Sequence, residues 1–308
     1  MERCLLDIEK LRVFKNDITI VHDFTLNLNK NEIHSVIGES GSGKSLSVQV
    51  LNGILPEPLS WTGKVTVESV SQSHNSILKL RGVFFSMIFQ DSAGALNPVR
   101  KIGAQISETV RYHKAFQGKE LSNEVNRLLD ISGLTQDVRN SYAHELSGGM
   151  KQRCAIALAL SCDPKVLICD EPTTALDPTT AGNILDEFIH LSENGYSIIF
   201  ITHDFGNILR LRGRLTVMYA GYCVETGLVD RLSENPFHPY TAELLKARPE
   251  FGKELYSIPG EMPSPTDAFT GCPFAPRCFN RSEICYSEMP PWSNTSDGSS
   301  VRCHNPVG

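Results

Sequence analysis

Apolar and polar positions alternate at the start of the chain. Leu6 and Ile8, and later Leu26 and Leu28, are separated by polar residues, a period of two that predicts strands with one buried face. Asn29-Lys30-Asn31 marks a turn, and Ile33 to Ile37 predicts a short apolar strand leading into a glycine-rich loop. Beyond the loop, Leu46, Val50, Leu51 and Ile54 recur at helical spacing, and Pro56 and Pro58 predict where that helix stops. Residues 69–76, Ser-Val-Ser-Gln-Ser-His-Asn-Ser, show no period and read as a polar loop. From about 92 to 160 the pattern is mainly helical: Val125, Leu128 and Leu129 share one face, and Ile156, Leu158, Ala159 and Cys162 share another more loosely. Val166–Cys169 and Ile198–Ile201 are apolar on both faces, as strands of a parallel sheet covered by helices are. Residues 215–227 predict a hairpin turning near Gly221. After about 236 the chain shifts to Pro, Ser and Cys, which places a domain boundary there.

Composition narrows the function classes. With 308 residues, 41% hydrophobic and 21% charged, the chain can build a packed core, which excludes wholesale disorder. Twenty-nine Lys and Arg against 35 Asp and Glu give a net charge of −6, which argues against nucleic acid as the partner, because neutralising phosphates needs a basic face. No apolar run approaches the ~20 residues that span a bilayer. The opening Met1-Glu2-Arg3-Cys4 lacks the apolar block of a signal peptide, so the chain is expected to stay in the cytoplasm. Of nine cysteines, Cys4, Cys154, Cys162, Cys169 and Cys223 are scattered and read as small apolar residues. Cys272, Cys278, Cys285 and Cys303 crowd the end of the chain, and in a cytosolic protein such a cluster points to metal ligation before disulfides.

Gly38-Glu39-Ser40-Gly41-Ser42-Gly43-Lys44-Ser45 fits G-x-x-x-x-G-K-[ST] between a predicted strand and a predicted helix. A triphosphate concentrates negative charge, and backbone N–H groups can wrap it only where no side chain intervenes. The glycines permit that approach, and the following helix turns its positive end inward. Lys44 is placed to reach the β- and γ-phosphates, and the Ser45 hydroxyl to ligate Mg²⁺. Asp170, at the end of an apolar strand, can hold Mg²⁺ through water, and Glu171 can orient or deprotonate the attacking water. His203 ends the strand Ser197 to Thr202, where a neutral imidazole could bond the γ-phosphate; on spacing alone, a lone histidine of this kind is usually structural.

Leu146-Ser147-Gly148-Gly149-Met150-Lys151-Gln152-Arg153 resembles the signature motif of ABC-type ATPases, and the set Gly38–Ser45, Gln90, Leu146–Met150, Asp170-Glu171, Ala175-Leu176-Asp177 and His203 falls in that family's order. The resemblance covers about residues 1–235. It implies an α/β fold, a P-loop ABC ATPase with a RecA-like parallel sheet core, an antiparallel β subdomain and a helical subdomain at about 92–160. It also implies that Ser147, Gly148 and Gly149 meet the γ-phosphate held by a partner subunit, so that ATP closes a head-to-tail dimer and hydrolysis lets it open. Gln90 resembles the glutamine that senses Mg²⁺ and a membrane subunit, Asp177 would sit at the dimer seam, and Phe14 is the candidate to stack on adenine, with an ordinary core phenylalanine as the alternative.

The remainder, 236–308, resembles the Cys-rich extension of ATP-binding subunits from peptide and nickel importers, through Asn235–Thr241, Ile258–Pro263, Gly271–Cys278, Cys285 and Cys303-His304. That resemblance implies a [4Fe–4S] cluster on Cys272, Cys278, Cys285 and Cys303, with Zn²⁺ as the alternative and free cysteines a distant third; His304 could substitute as a ligand, though it reads more readily as an ordinary exposed histidine. With little apolar content after 260, a cross-link is expected to order this tail, as a staple or as a redox sensor. The family implies ATP and Mg²⁺ as ligands, a second ABC ATPase subunit, two integral membrane permease subunits and, indirectly, an extracytoplasmic substrate-binding protein. The leading expectation is an ATPase that powers import of di- or oligopeptides from the cytoplasmic face of the membrane. Nickel or metal–metallophore import is the rival cargo. A soluble ABC ATPase acting on DNA or ribosomes is the rival class; the single phosphate loop and the short span between Gln90 and Ser147 leave no room for a second cassette or a long coiled coil.

Overall fold

The computed structural model describes residues 4–92, 94–249, 252, 254 and 256–308; the Met1-Glu2-Arg3 opening lies outside them. In chain order the elements are β1 (Cys4–Lys15), β2 (Ile18–Asn29), β3 (Ile33–Ile37), α1 (Lys44–Gln49), β4 (Ser60–Val67), β5 (Val70–Gln72), α2 (His74–Leu80), β6 (Phe85–Ile88) and α3 (Ile102–Lys114). They continue with α4 (Gly118–Ile131), α5 (Gly148–Leu160), β7 (Val166–Asp170), α6 (Pro178–Glu193), β8 (Ser197–Thr202), α7 (Phe205–Leu211), β9 (Arg214–Tyr219), β10 (Tyr222–Leu228) and α8 (Val229–Glu234). The tail adds α9 (Pro239–Lys246), α10 (Ile284–Ser287), β11 (Trp292–Asn294) and β12 (Ser300–Arg302). They form two compact units. The first runs to Val50, resumes over Ile54–Ser73 and takes in Ile201–Gly308; the second is Leu51–Gly53 with His74–Phe200.

In the first unit the strands run β5-β4-β1-β2-β10-β9-β3. β1 is antiparallel to both β2 and β4, whereas β9 is parallel to β3, with His34 opposite Arg214 and Ile37 opposite Val217. The apolar positions of β1 change parity, from Leu6 and Ile8 to Leu11 and Val13, yet all four are fully buried. A bulge resolves this. The register shifts between Ile8 and Leu11, and Lys10 sits at φ 50, so the extra residue returns the next apolar pair to the core face. The predicted hairpin is β9–β10, turning through Ala220 and Gly221, both at positive φ.

Two sequence expectations change in this unit. The helix after the glycine loop ends at Gln49 and tightens into a 3₁₀ turn over Val50–Asn52. Gly53, at φ 58, stops it before Ile54 and the two prolines are reached. The supposed loop 69–76 contains β5 and the start of α2, because Glu68 and Ser69 adopt positive φ and fold Val70–Gln72 back onto Val65–Val67.

The tail is part of this unit's core. Tyr240, Phe274 and Cys278 pack among Leu215, Val217, Tyr219 and Val224, and Ile258, Met262 and Phe269 line the edge. Each fully buried aromatic side chain contributes about 1.5–3 kcal/mol. All nine cysteines are free, so no disulfide cross-link orders the tail; apolar burial and ion pairs such as Arg302–Asp23 do.

In the second unit, which holds β8 up to Phe200, the strands run β8-β7-β6, with β6 and β7 parallel and β7 buried along its whole length. α3, α4 and α5 make the helical part predicted for 92–160. Val125, Leu128 and Leu129 of α4 are fully buried, as their shared face required. Among the described residues, no helix is long and apolar enough to cross a membrane.

Candidate functional site

The phosphate loop belongs to the first unit. The wholly buried β3 delivers Gly38–Gly43 to the start of α1. Gly41 (φ 83) and Gly43 (φ 97) occupy left-handed conformations that side chains disfavour. At Gly38 a Cβ would collide with the Met218 carbonyl and stand 2.7 Å from Ser42 Oγ. Among the described residues, Ser42 Oγ is buried without a hydrogen-bond partner. Lys44 is buried, and its Nζ donates to the carbonyls of Gly38 (2.8 Å) and Glu39 (2.9 Å). Ser40 is exposed and Ser45 half-buried. A backbone-lined loop with an ammonium folded across it fits a triphosphate.

Glu39 carries contacts that sequence reasoning missed. Its N–H donates to Tyr240 Oη at 3.0 Å, and its carboxylate accepts two bonds from Arg277 Nη1, at 2.9 and 3.1 Å. No local signal marks partners more than 200 positions away. Phe14, in β1 opposite Thr19 and Ser60, is half-buried. His203 is exposed between β8 and α7, whose N-cap is Asp204, accepting from Gly206 N–H at 2.7 Å.

The second unit holds the other motifs. Asp170 ends β7, 6% exposed. Glu171 follows at φ 47, a left-handed conformation that costs a carboxylate residue strain, and its Oε2 accepts from Thr174 Oγ1 at 3.0 Å. Gln90 is exposed just beyond β6, beside the exposed Phe89. Ser147 caps α5, its Oγ accepting from Met150 N–H at 3.3 Å. Asp177 caps α6, accepting from the N–H groups of Thr179 (3.1 Å) and Thr180 (3.0 Å), with Pro178 at the first helical position. Hydrogen bonds, first from the Thr180 side chain, hold the Asp177 carboxyl below its ordinary range. The two caps are neighbours: a Cβ on Gly149 would stand 2.5 Å from Thr180 Cγ2, and one on Gly148 3.6 Å from Leu176 Cδ2. The second glycine of the signature, half-buried, is therefore a packing requirement.

Cys272, Cys278, Cys285 and Cys303 share a neighbourhood in the tail. Cys272 N–H donates to the Cys285 carbonyl at 2.8 Å, and burial pushes the Cys272 thiol up to about 11 and the Cys303 thiol up to about 12. Among the described residues, however, no three or more His, Cys, Asp or Glu are arranged to hold a metal ion. The expected [4Fe–4S] or Zn²⁺ ligand set is therefore not supported by the geometry. Cys278 Sγ accepts from Asn280 N–H (3.3 Å) and Cys285 Sγ from Ser282 N–H (3.5 Å), and His304 Nε2 lies 3.0 Å from the Glu288 carbonyl.

Comparison with known proteins agrees with these motifs. Residues 21–174 match the ABC transporter family, and residues 224–285 match the C-terminal region of oligopeptide/dipeptide transporters. The chain is 38% identical to the oligopeptide transport ATP-binding protein AppD of Bacillus subtilis, covering 97% of this chain and 96% of that one. It is equally similar, at the same coverage, to a Brucella ovis protein provisionally named a peptide import ATP-binding protein. Among solved structures, cbiO1 from Clostridium perfringens, part of the ABC transporter complex cbiONQ, superposes with a TM-score of 0.65 at 27% identity, covering 75% of this chain and 91% of that one. The ATP-binding cassette MJ0796, a dimer in a post-hydrolysis state with ADP and Pi, gives 0.62 at 25% identity, covering 73% and 99%. This chain belongs to the ABC transporter ATP-binding family, and it carries the C-terminal region of the oligopeptide/dipeptide branch.

Proposed function

We propose that the protein is the ATP-hydrolysing subunit that powers import of di- or oligopeptides through a membrane ABC transporter. One observation carries the reading: a phosphate loop, an Asp-Glu strand end and a signature helix stand in one chain with the oligopeptide/dipeptide C-terminal region. The loop Gly38–Ser45 binds the triphosphate through backbone N–H groups, and Lys44 places its charge on the β- and γ-phosphates. The donors Ser45, Gln90 and Asp170 are the hard oxygen ligands that Mg²⁺ takes; Ser45 and Gln90 would hold it, Asp170 would reach it through water, and it would neutralise phosphate charge. Glu171 takes the proton of the attacking water, His203 bonds the γ-phosphate, and Phe14 stacks on adenine. Ser147, Gly148 and Gly149 serve the nucleotide of a second ATPase subunit, with Asp177 at the seam. Closure around two ATP molecules and reopening after hydrolysis drive two permease subunits from the cytoplasmic face, and an extracytoplasmic binding protein delivers the peptide.

On this reading the ATPase domain spans 1–235 and the extension 236–308. A metal-bearing tail is a second reading. It rests only on the neighbourhood of the four thiols, each of Cys272, Cys278 and Cys285 acting electrostatically on Cys303. Iron, zinc and labile-sulfide analysis of anaerobically purified protein and of a four-Cys→Ser variant decides it. The cargo is tested by reconstituting the chain with its permease pair and binding protein in liposomes. ATP-dependent uptake of a labelled dipeptide or oligopeptide supports the proposal; uptake of Ni²⁺ alone, or ATP hydrolysis stimulated only by DNA, refutes it.

A further inference from the structure

The tail reaches the phosphate loop directly, at Glu39. This residue is held from three directions. Its N–H is bonded to Tyr240 Oη. Its carboxylate is gripped by Arg277, whose side chain is only 5% exposed. Its carbonyl is shared by Lys44 Nζ and, at 3.2 Å, by Ser42 N–H. The two tail groups are rigidly mounted. Tyr240 is fully buried, with ring centroids 4.6 Å from Tyr219 and 5.2 Å from Phe274. The rest of the Arg277 guanidinium is spent on the carbonyls of Pro259 (2.8 Å) and Ile258 (3.2 Å), which ties two tail segments to one loop side chain. Met262 Cε lies 3.6 Å from where a Cβ on Gly41 would stand, so the same segment also flanks the loop's turn.

The Glu39 N–H lies in the peptide plane that carries the Gly38 carbonyl, and the Glu39 carbonyl lies in the next plane, joined to the first at the Cα whose side-chain carboxylate Arg277 holds. Lys44 Nζ donates to the Gly38 and Glu39 carbonyls, so rotation of either plane would turn an acceptor away and release the ammonium from its aim. We propose that Tyr240 and Arg277 are positioning residues of the ATP site: they fix Glu39 so that its carbonyl holds Lys44 in place for the phosphates. The proposal rests on Gly38–Ser45 being the triphosphate cradle. It makes the extension a working part of the ATPase rather than an attachment.

The test measures ATP affinity of the full chain by displacement of trinitrophenyl-ATP, with steady-state ATPase beside it. Tyr240→Phe removes one oxygen and keeps the packed ring; Arg277→Met keeps bulk and removes the grip. Each is expected to weaken ATP by about tenfold, the scale of one lost charge-assisted or buried hydrogen bond. KM for ATP rises with the dissociation constant while kcat changes far less, since the catalytic groups are untouched. Arg277→Met combined with Glu39→Gln binds no worse than either alone, because both act through one contact. By linkage, saturating ATP slows hydrogen exchange over residues 256–262 in the wild-type chain, and Arg277→Met loses that protection. Unchanged ATP affinity in both Tyr240→Phe and Arg277→Met, in a preparation where Lys44→Ala abolishes binding, overturns the proposal and spares the cradle. Wild-type affinity in Lys44→Ala overturns both.

Discussion

Glu225 offers a perturbation whose size can be worked out. It lies in β10, fully buried, and its Oε1 accepts the Phe237 N–H at 2.6 Å, which anchors the chain just before α9 brings Tyr240 to the phosphate loop. Burial is the main cause that pushes its carboxyl from 4.5 up to about 7, with the charge of Asp297 adding to it. An acid with a raised folded value is more readily protonated in the native state. Its stabilisation is complete below about pH 4.5 and is lost as pH rises through about 7. A rise from 4.5 to about 7 corresponds to roughly 3 kcal/mol. Glu225→Gln keeps an acceptor for Phe237 and cannot ionise. It should therefore match wild type near pH 4 and exceed it by about 3 kcal/mol near pH 8. Both tryptophans, Trp61 and Trp292, lie in the first unit, so urea unfolding followed by tryptophan fluorescence reads the right part of the molecule. His34 and His238, whose buried rings are held down to about 4 and about 3, give the opposite slope, but equally in both proteins. A variant-minus-wild-type difference that is the same at both pH values would refute the reasoning.

Two further substitutions address the chemistry. Glu171→Gln should retain ATP binding and lower hydrolysis by about 10²–10⁴-fold, the usual worth of a positioned base; normal turnover in a phosphate-release assay removes Glu171 from that role. Ser147→Arg should suppress hydrolysis while leaving ATP binding at the chain's own loop intact, because Ser147 is exposed at the start of α5. Lost binding in the isolated chain would count against a role toward a partner's nucleotide.

What could be read from the sequence divides along a physical line. The phosphate loop is legible because its demands are local: Gly41 and Gly43 need positive φ, and Lys44 folds back on carbonyls a few residues away. The α4 face follows from its period, and the buried strands β7 and β8 from runs apolar on both faces. Ser147 and Asp177 sit in ordinary capping positions, so their local geometry is predictable from residue type while the partner-facing roles proposed for them are not. The bulge at Lys10 is visible only as a change of parity. β5 escapes detection because three polar-flanked residues on a sheet edge carry no pattern. The grip of Arg277 and Tyr240 on Glu39 is invisible for another reason: it joins residues 238 and 201 positions apart, and only the packed core of the first unit brings them together.

The central claim is that two ATPase subunits complete each other's hydrolytic sites, and the most direct measurement is the hydrolysis rate per chain as purified protein is diluted at saturating Mg-ATP. The account predicts a per-chain rate that falls steeply with dilution and recovers when chains are concentrated or held together by their membrane partners. A per-chain rate that stays constant down to the lowest measurable concentration would contradict it.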